Sequence, residues 1–164
     1  MFDPETNQAA TALLDLCKGK KLTIATAESC TGGLVAGALT EIAGSSAVVD
    51  RGFVTYTNEA KQDLLGVPAE TLAQHGAVSR EAAEAMVAGV LAHAPADLAV
   101  SVTGIAGPTG ATPGKPVGLV HFAAARRDGA LIHHEARFGN IGRSEVRRRS
   151  VLQALSMLST LAAG

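Results

Sequence analysis

Apolar runs interrupted by glycine and polar residues divide the chain into predicted strands and helices. Short runs that are apolar or rich in β-branched residues predict strands. The last two of these runs are joined by Asp128-Gly129, which is a strong signal for a hairpin turn. The five predicted strands are LTIATA (22–27), AVVDRGFVTYT (47–57), DLAVSVTG (97–104), VGLVHFAAARR (117–127) and ALIHHEARF (130–138).

Longer segments that carry capping residues predict the helices. Asp3 and Pro4 make a favourable helix start, and Gly19 is placed to end that helix. Asn58 and Ser79 are placed to cap two later helices. The predicted helices run from Pro4 to about Gly19, from about Thr31 to Ile42, over EAKQDLLG (59–66), VPAETLAQHG (67–76) and EAAEAMVAGVLAHA (81–94), and from about 142 to 162.

This order of elements indicates an α/β fold. Helices flank most strands, but the final hairpin requires antiparallel pairing, so we expect a three-layer α/β/α sandwich with a mixed, mainly parallel sheet of about five strands. A length of 164 residues is that of one domain, so we expect residues 1–164 to form a single domain.

Composition narrows the classes of function. Hydrophobic residues make up 47% of the chain, charged residues 18%, and the net charge is -1, which is typical of a globular protein. There is no Trp, one Tyr and four Phe, so little is available to stack on nucleic-acid bases. No run reaches membrane-spanning length and the first residues lack signal-peptide features. We therefore expect a cytoplasmic protein with neither a nucleic-acid nor a membrane partner.

Nothing in the sequence predicts a metal or a cofactor. Cys17 and Cys30 lack the spacing of a metal-binding pair, and no cluster of His, Cys and Asp offers a metal a site. The oligomeric state stays open, with a homo-oligomer as one alternative.

The stretch TAESCTGG (26–33) holds three candidate nucleophiles, Ser29, Cys30 and Thr31. It lies between a predicted strand and a predicted helix, where free backbone N–H groups can hold an anion or an oxyanion. The alternative is structural, with Ser29 or Thr31 capping the helix and the glycines allowing close packing. Cys30 is either activated by the helix start or a small buried hydrophobe.

A serine nucleophile needs a base, and Lys61 is the better candidate in this chain. It follows Tyr56 and lies in the first turn of a predicted helix, where the dipole and partial desolvation lower a lysine pKa. The alternative is a solvated surface lysine. The histidines are weaker candidates, because they lie near helix ends or on strands without a joint site; they are His75, His93, His121, His133 and His134.

Two further segments suggest ligand binding. The segment 104–118 concentrates glycine and proline, which predicts an exposed loop with a binding role. RSEVRRRS (143–150) places four arginines at the start of the last helix, where cations oppose the dipole unless an anion is bound. For the cluster we favour a solvated basic face paired with Glu145 or other acids. For Arg143, at the very start of the helix, a bound anion and a solvated basic face are equally supported.

Five stretches together are specific enough to indicate a family: TAESCTGG, GSSAVVDRGFVTYTNEAK, LAQHGAVS, VSVTGIAGPTG and KPVGLVHFA. In this order they resemble the C-terminal domain of the competence- and damage-inducible CinA family, over residues 6 to 160. The resemblance implies an α/β/α fold with a mixed sheet. For the stand-alone domain it implies hydrolysis of the carboxamide of nicotinamide mononucleotide to nicotinate mononucleotide and ammonia, in pyridine nucleotide recycling, with no cofactor.

The resemblance also implies roles for individual residues. The catalytic set is Ser29 as nucleophile, Lys61 as its base, and Tyr56. The substrate-binding set is Thr31, Gly32, Gly33, Thr103, Gly104, Gly107 and Arg143. The sequence departs from the family pattern at Ala111 and Leu119, which affects loop shape and substrate fit. The alternative function is a non-catalytic module that binds a pyridine nucleotide or another protein.

Overall fold

A computed structural model describes residues 1–164 and contains one five-stranded mixed sheet. The strands are β1 (Ile24–Glu28), β2 (Val49–Val54), β3 (Leu98–Gly104), β4 (Leu119–Arg126) and β5 (Leu131–Arg137). They lie in the order β2-β1-β3-β4-β5. The pairs β1–β2 and β1–β3 are parallel, whereas β3–β4 and β4–β5 are antiparallel. The predicted fold class is therefore confirmed.

Six α-helices cover the two faces of the sheet. They are α1 (Pro4–Lys20), α2 (Leu34–Thr40), α3 (Asn58–Leu65), α4 (Ala69–His75), α5 (Arg80–His93) and α6 (Arg143–Ala163), with a short 3₁₀ turn at Ser45–Ala47. None of these helices combines the length and the apolar character that crossing a membrane requires.

The core is divided by the sheet into two apolar clusters, one on each face. The larger cluster packs α1, α2 and α6 against residues such as Phe122. The smaller cluster packs α3, α4 and α5 around Met86 and is rich in alanine. Small side chains on this second face let the helices approach the strands closely.

Several local signals are confirmed. The Asp3 side chain accepts a hydrogen bond from the Thr6 N–H at 3.0 Å, and the Ser79 hydroxyl accepts from Ala82 N–H at 3.1 Å. Asp128-Gly129 forms the turn between β4 and β5, and Gly129 has a φ of 106°. The predicted loop is present over residues 105–118, between β3 and β4, while Gly104 is the last residue of β3.

Two predicted helix ends are wrong. The helix expected to end at Gly19 continues to Lys20 and is closed by Lys21, which takes the left-handed conformation while its N–H bonds back to Cys17 and Lys18. The cap of α3 is Thr57, whose side chain accepts from the Ala60 N–H, and Asn58 is the first helical residue. In both cases the hydrogen bonds that set the helix boundary are made by a nearby residue and not by the one that was predicted.

Candidate active site

Ser29 lies directly after the carboxyl end of β1, at the sheet edge where β2 and β3 also end. Its N–H donates to the Val102 carbonyl at 2.9 Å, which continues the pairing with β3 by one residue. The residue is 9% exposed and lines a cavity. Ligand sites of α/β folds with parallel strands occur at this edge.

Lys61 reaches Ser29 from α3, the helix that follows β2. Its Nζ lies 3.1 Å from Ser29 Oγ and 2.8 Å from the Thr55 carbonyl oxygen. Only 1% of this lysine is exposed, and it forms no ion pair with a carboxylate. Burial lowers the pKa of Lys61 because the charged form loses its hydration. The surface-lysine alternative is therefore wrong.

Helix α2 begins three residues later than predicted, at Leu34 instead of Thr31. The side chains of Ser29 and Thr31 do not cap it. The buried carboxylate of Glu28 does so, because Oε1 accepts from the Val35 N–H at 2.8 Å and Oε2 from the Ala36 N–H at 3.0 Å. This role of Glu28 was not predicted from the sequence. These two N–H groups are thus already occupied and cannot hold a substrate oxyanion.

A glycine-containing turn separates Ser29 from α2. Gly32 and Gly33 have φ values of 59° and 101°, which L side chains rarely adopt. The Gly32 N–H donates to the Ser29 carbonyl at 3.0 Å. The N–H groups of Cys30 and Thr31 have no acceptor within the protein. They are the unpaired donors nearest in sequence to Ser29.

The Cys30 thiol is buried, with 5% of the residue exposed. Loss of hydration on burial raises the pKa of Cys30 to about 12, so the thiolate is not accessible near neutral pH. Of the two interpretations of this cysteine, the buried hydrophobe is confirmed.

The cavity beside Ser29 has a volume of about 260 Å³. Seven of the ten predicted site residues line it: Ser29, Tyr56, Lys61, Thr103, Gly104, Gly107 and Arg143. Thr31, Gly32 and Gly33 adjoin Ser29 but do not line the cavity. Cys30, which was predicted only as a candidate nucleophile, also lines the cavity. The six other lining residues were not predicted individually: Ala77, Val78, Ile105, Ala106, Thr109 and Gly110. Their signal was the composition of the 104–118 loop and, for Ala77 and Val78, the LAQHGAVS stretch.

The cavity wall formed by the end of β3 is tightly packed. The buried hydroxyl of Thr103 donates to the Ala77 carbonyl at 2.7 Å and so joins β3 to the segment before α5. A Cβ atom on Gly104 would lie 2.7 Å from Val120 Cγ2. Only glycine therefore fits there without displacing β4.

Arg143 and Tyr56 lie together at the mouth of the cavity. Arg143 Nη1 donates to the Gly107 carbonyl at 3.0 Å and Nη2 donates to Tyr56 Oη at 3.1 Å. Tyr56 is 58% exposed, and Arg143 has no carboxylate partner. This cation is therefore held in place by neutral groups and keeps an uncompensated positive charge beside the cavity.

The other arginines of this cluster behave differently from Arg143. Arg148 and Arg149 both pair with Glu145, at 3.0 and 2.8 Å, as the basic-face interpretation predicts. Arg147 instead donates to the backbone carbonyls of Cys30 and Thr31.

The histidines lie outside the cavity beside Ser29. His121 and His133 contact each other on one face of the sheet, with 3.0 Å between Nδ1 and Nε2, while His134 packs near Phe122. His133 and His134 therefore face opposite sides, as predicted. No group of three or more His, Cys, Asp or Glu side chains converges in an arrangement that suits a metal ion.

This α/β/α domain, with its mixed sheet and the cavity beside Ser29, matches a known family. The CinA C-terminal domain matches residues 6–162, and the chain belongs to this family. It is 49% identical to the nicotinamide-nucleotide amidohydrolase PncC of Escherichia coli K12, over 96% of this chain and 95% of that protein.

Two further relatives show how the domain occurs elsewhere. A CinA-like protein of Mycolicibacterium gilvum is 55% identical over 87% of this chain, but the match spans only 33% of that longer protein. The crystal structure of the competence/damage inducible protein CihA from Agrobacterium tumefaciens superposes with a TM-score of 0.97 at 56% identity, covering 98% of each chain.

Proposed function

We propose that this protein is an amidohydrolase that converts nicotinamide mononucleotide into nicotinate mononucleotide and ammonia. The observation that carries the proposal is the contact between Ser29 and a buried lysine that has no acidic partner. The name of the Escherichia coli relative, which aligns over nearly its whole length, supports the choice of substrate. The cytoplasmic location expected from the sequence remains a prediction.

In the first half of the proposed reaction, neutral Lys61 takes the hydroxyl proton while Ser29 Oγ attacks the amide carbon. The carbonyl oxygen becomes an oxyanion, and an unpaired backbone N–H after Ser29 stabilises it. The carbon–nitrogen bond then breaks. The leaving nitrogen takes the proton that Lys61 holds, either directly or through Tyr56, which gives its own proton and receives that of Lys61. Ammonia departs, and an acyl-enzyme ester and a neutral Lys61 remain.

In the second half, water replaces the nitrogen. Lys61, again neutral, takes a proton from a water molecule as its oxygen attacks the ester carbon. The bond to Ser29 Oγ breaks and the serine recovers its proton. The product is the carboxylate of nicotinate mononucleotide. Every proton is moved by groups that already line the cavity.

We assign the phosphate of the substrate to Arg143 and the loop that contains Gly107. A guanidinium that makes only neutral hydrogen bonds retains donors and charge for an anion. The cavity therefore has a reactive end at Ser29 and Lys61 and a cationic end at Arg143. This polarity fits a substrate with an amide at one end and a phosphate at the other.

The test is to incubate the purified protein with nicotinamide mononucleotide and to measure ammonia together with nicotinate mononucleotide. Equimolar release of both is the expected result. Free nicotinamide and glutamine serve as matched amides without the nucleotide, and we expect neither to be hydrolysed at a comparable rate. Binding of nicotinamide mononucleotide without ammonia release would overturn the proposal in favour of a nucleotide-binding module.

A further inference from the structure

Arg147 directs its charge at the backbone next to the proposed nucleophile. Its Nε donates to the Cys30 carbonyl at 3.1 Å and its Nη2 to the Thr31 carbonyl at 3.3 Å. It forms no salt bridge, although Arg148 and Arg149, which follow it, both pair with Glu145. Arg147 is therefore attached to the turn after Ser29 by two charge-assisted hydrogen bonds.

These bonds fix the orientation of a peptide group. In a planar trans peptide the C=O and the following N–H point in opposite directions. The Cys30 carbonyl shares its peptide with the Thr31 N–H, and the one cis bond of the chain lies elsewhere, at Gly107-Pro108. Holding the Cys30 carbonyl against Arg147 therefore turns the Thr31 N–H away from α6.

The two sides of this turn differ in what they contain. Arg147 lines a separate surface hollow with Leu34 and Ser144, whereas Ser29 and Cys30 line the cavity. The Thr31 N–H has no acceptor within the protein. The unpaired Thr31 N–H therefore points to the side of the turn on which the cavity lies, although Thr31 itself is not among the residues that line it.

We propose that Arg147 is a positioning residue that holds the Thr31 N–H in the oxyanion hole. The inference rests on the proposed function, because it needs Ser29 to form a tetrahedral intermediate. Arg147 does not touch the substrate. It acts through the Cys30–Thr31 peptide.

Few other hydrogen bonds orient this peptide. The Cys30 carbonyl receives a hydrogen bond only from Arg147, whereas the Thr31 carbonyl also accepts from the Leu34 N–H. Gly32 and Gly33 follow with positive φ and no side chain to limit rotation. Cys30 and Thr31 are buried, so side-chain packing still restrains the turn, but without the guanidinium no hydrogen bond holds the Cys30 carbonyl and the Cys30–Thr31 peptide can change its orientation.

The test compares Arg147→Met, which keeps an unbranched stem, with Arg147→Lys and with the neighbouring control Arg148→Met. Removal of one hydrogen-bond donor from an oxyanion hole typically lowers kcat by a factor of about 10²–10³. For a misoriented donor we expect kcat of Arg147→Met to fall by about 10- to 100-fold on this scale, with KM for nicotinamide mononucleotide little changed. Arg147→Lys should recover part of kcat, since one ammonium can reach one of the two carbonyls. Arg148→Met should behave as wild type.

A binding measurement separates positioning from general damage to the fold. The probe is the aldehyde analogue of nicotinamide mononucleotide, to which the Ser29 hydroxyl adds to give a tetrahedral adduct. Its affinity should fall in parallel with kcat in Arg147→Met, while the affinity for the product nicotinate mononucleotide stays unchanged. Equal losses for aldehyde and product, or an unchanged kcat, would overturn the inference. A wild-type protein that releases no ammonia would instead overturn the proposed function.

Discussion

Lys61 Nζ lies 3.1 Å from Ser29 Oγ, although the two residues are 32 positions apart in the chain. The contact exists because β1 and β2 are parallel neighbours whose carboxyl ends deliver Ser29 and the start of α3 to the same edge. The Thr55 carbonyl holds the amine from a second direction. Two elements of the sheet thus bring together a nucleophile and a base whose pKa is lowered by burial.

The first prediction assigns the nucleophile. Ser29→Ala should abolish ammonia release from nicotinamide mononucleotide, because no other hydroxyl in the cavity contacts Lys61. Cys30→Ala should keep most of the activity, because the buried thiol has its pKa raised to about 12. Ammonia release by both variants, checked for native folding by circular dichroism, measures the difference. An active Ser29→Ala together with an inactive Cys30→Ala would reverse the assignment.

The second prediction concerns pH. The base form of Lys61 is the neutral amine, so activity should be present above the folded-state pKa and lost as pH falls through it. Because burial lowers the pKa of Lys61, the acid limb of kcat/KM should lie below the ordinary range of lysine. Lys61→Met should remove activity at every pH. Nicotinamide riboside, which has no phosphate, controls for titration of the substrate. A profile without an acid limb for both substrates would argue against Lys61 as the base.

The strands, the hairpin and the loop between β3 and β4 were predictable, because the signal for each lies in residues that are neighbours in the sequence. The burial of Lys61 was not, because NEAKQD is locally polar and resembles a solvated helix start. Its environment comes partly from Ser29 after β1 and from α5, which packs against α3, and neither is a sequence neighbour of Lys61. The capping role of Glu28 was missed for a related reason. The glycines in TAESCTGG obscured the residue at which α2 begins. Glu28 also lies seven residues before the Val35 N–H that it binds, and this spacing matches no known capping pattern in sequence.

The third prediction tests Glu28 as the cap of α2. Glu28→Gln keeps one acceptor oxygen but places an NH₂ group against the second N–H, so it should destabilise the fold by about 0.5–2 kcal/mol, the usual range for loss of a cap. For a chain of this size that corresponds to a fall in Tm of about 2–4 °C per kcal/mol. Glu59→Gln, an exposed acid in the first turn of α3, is the control and should leave Tm nearly unchanged. Equal Tm values for both variants would contradict the capping role.

The fourth prediction is that activity does not require a divalent metal ion. No set of potential ligands converges in the structure, and the proposed chemistry uses a serine and a lysine. Dialysis against EDTA, followed by the ammonia assay, should leave the rate unchanged. Strong inhibition that one divalent ion reverses would rule out the serine mechanism as written.

The last prediction concerns Arg143, which contacts Tyr56 and Gly107 but no carboxylate. If it binds the phosphate, Arg143→Ala should reduce kcat/KM for nicotinamide mononucleotide much more than for nicotinamide riboside. A charge-assisted hydrogen bond is worth roughly 1.5–3 kcal/mol, or about one to two powers of ten. Arg143→Lys should recover only part of the loss, because an ammonium lacks the planar pair of donors. Arg149→Ala, which removes an arginine paired with Glu145, controls for the general loss of positive charge on α6. Equal losses for the two substrates would mean that Arg143 acts on the amide end of the substrate or on folding. A residue other than Arg143 would then have to bind the phosphate.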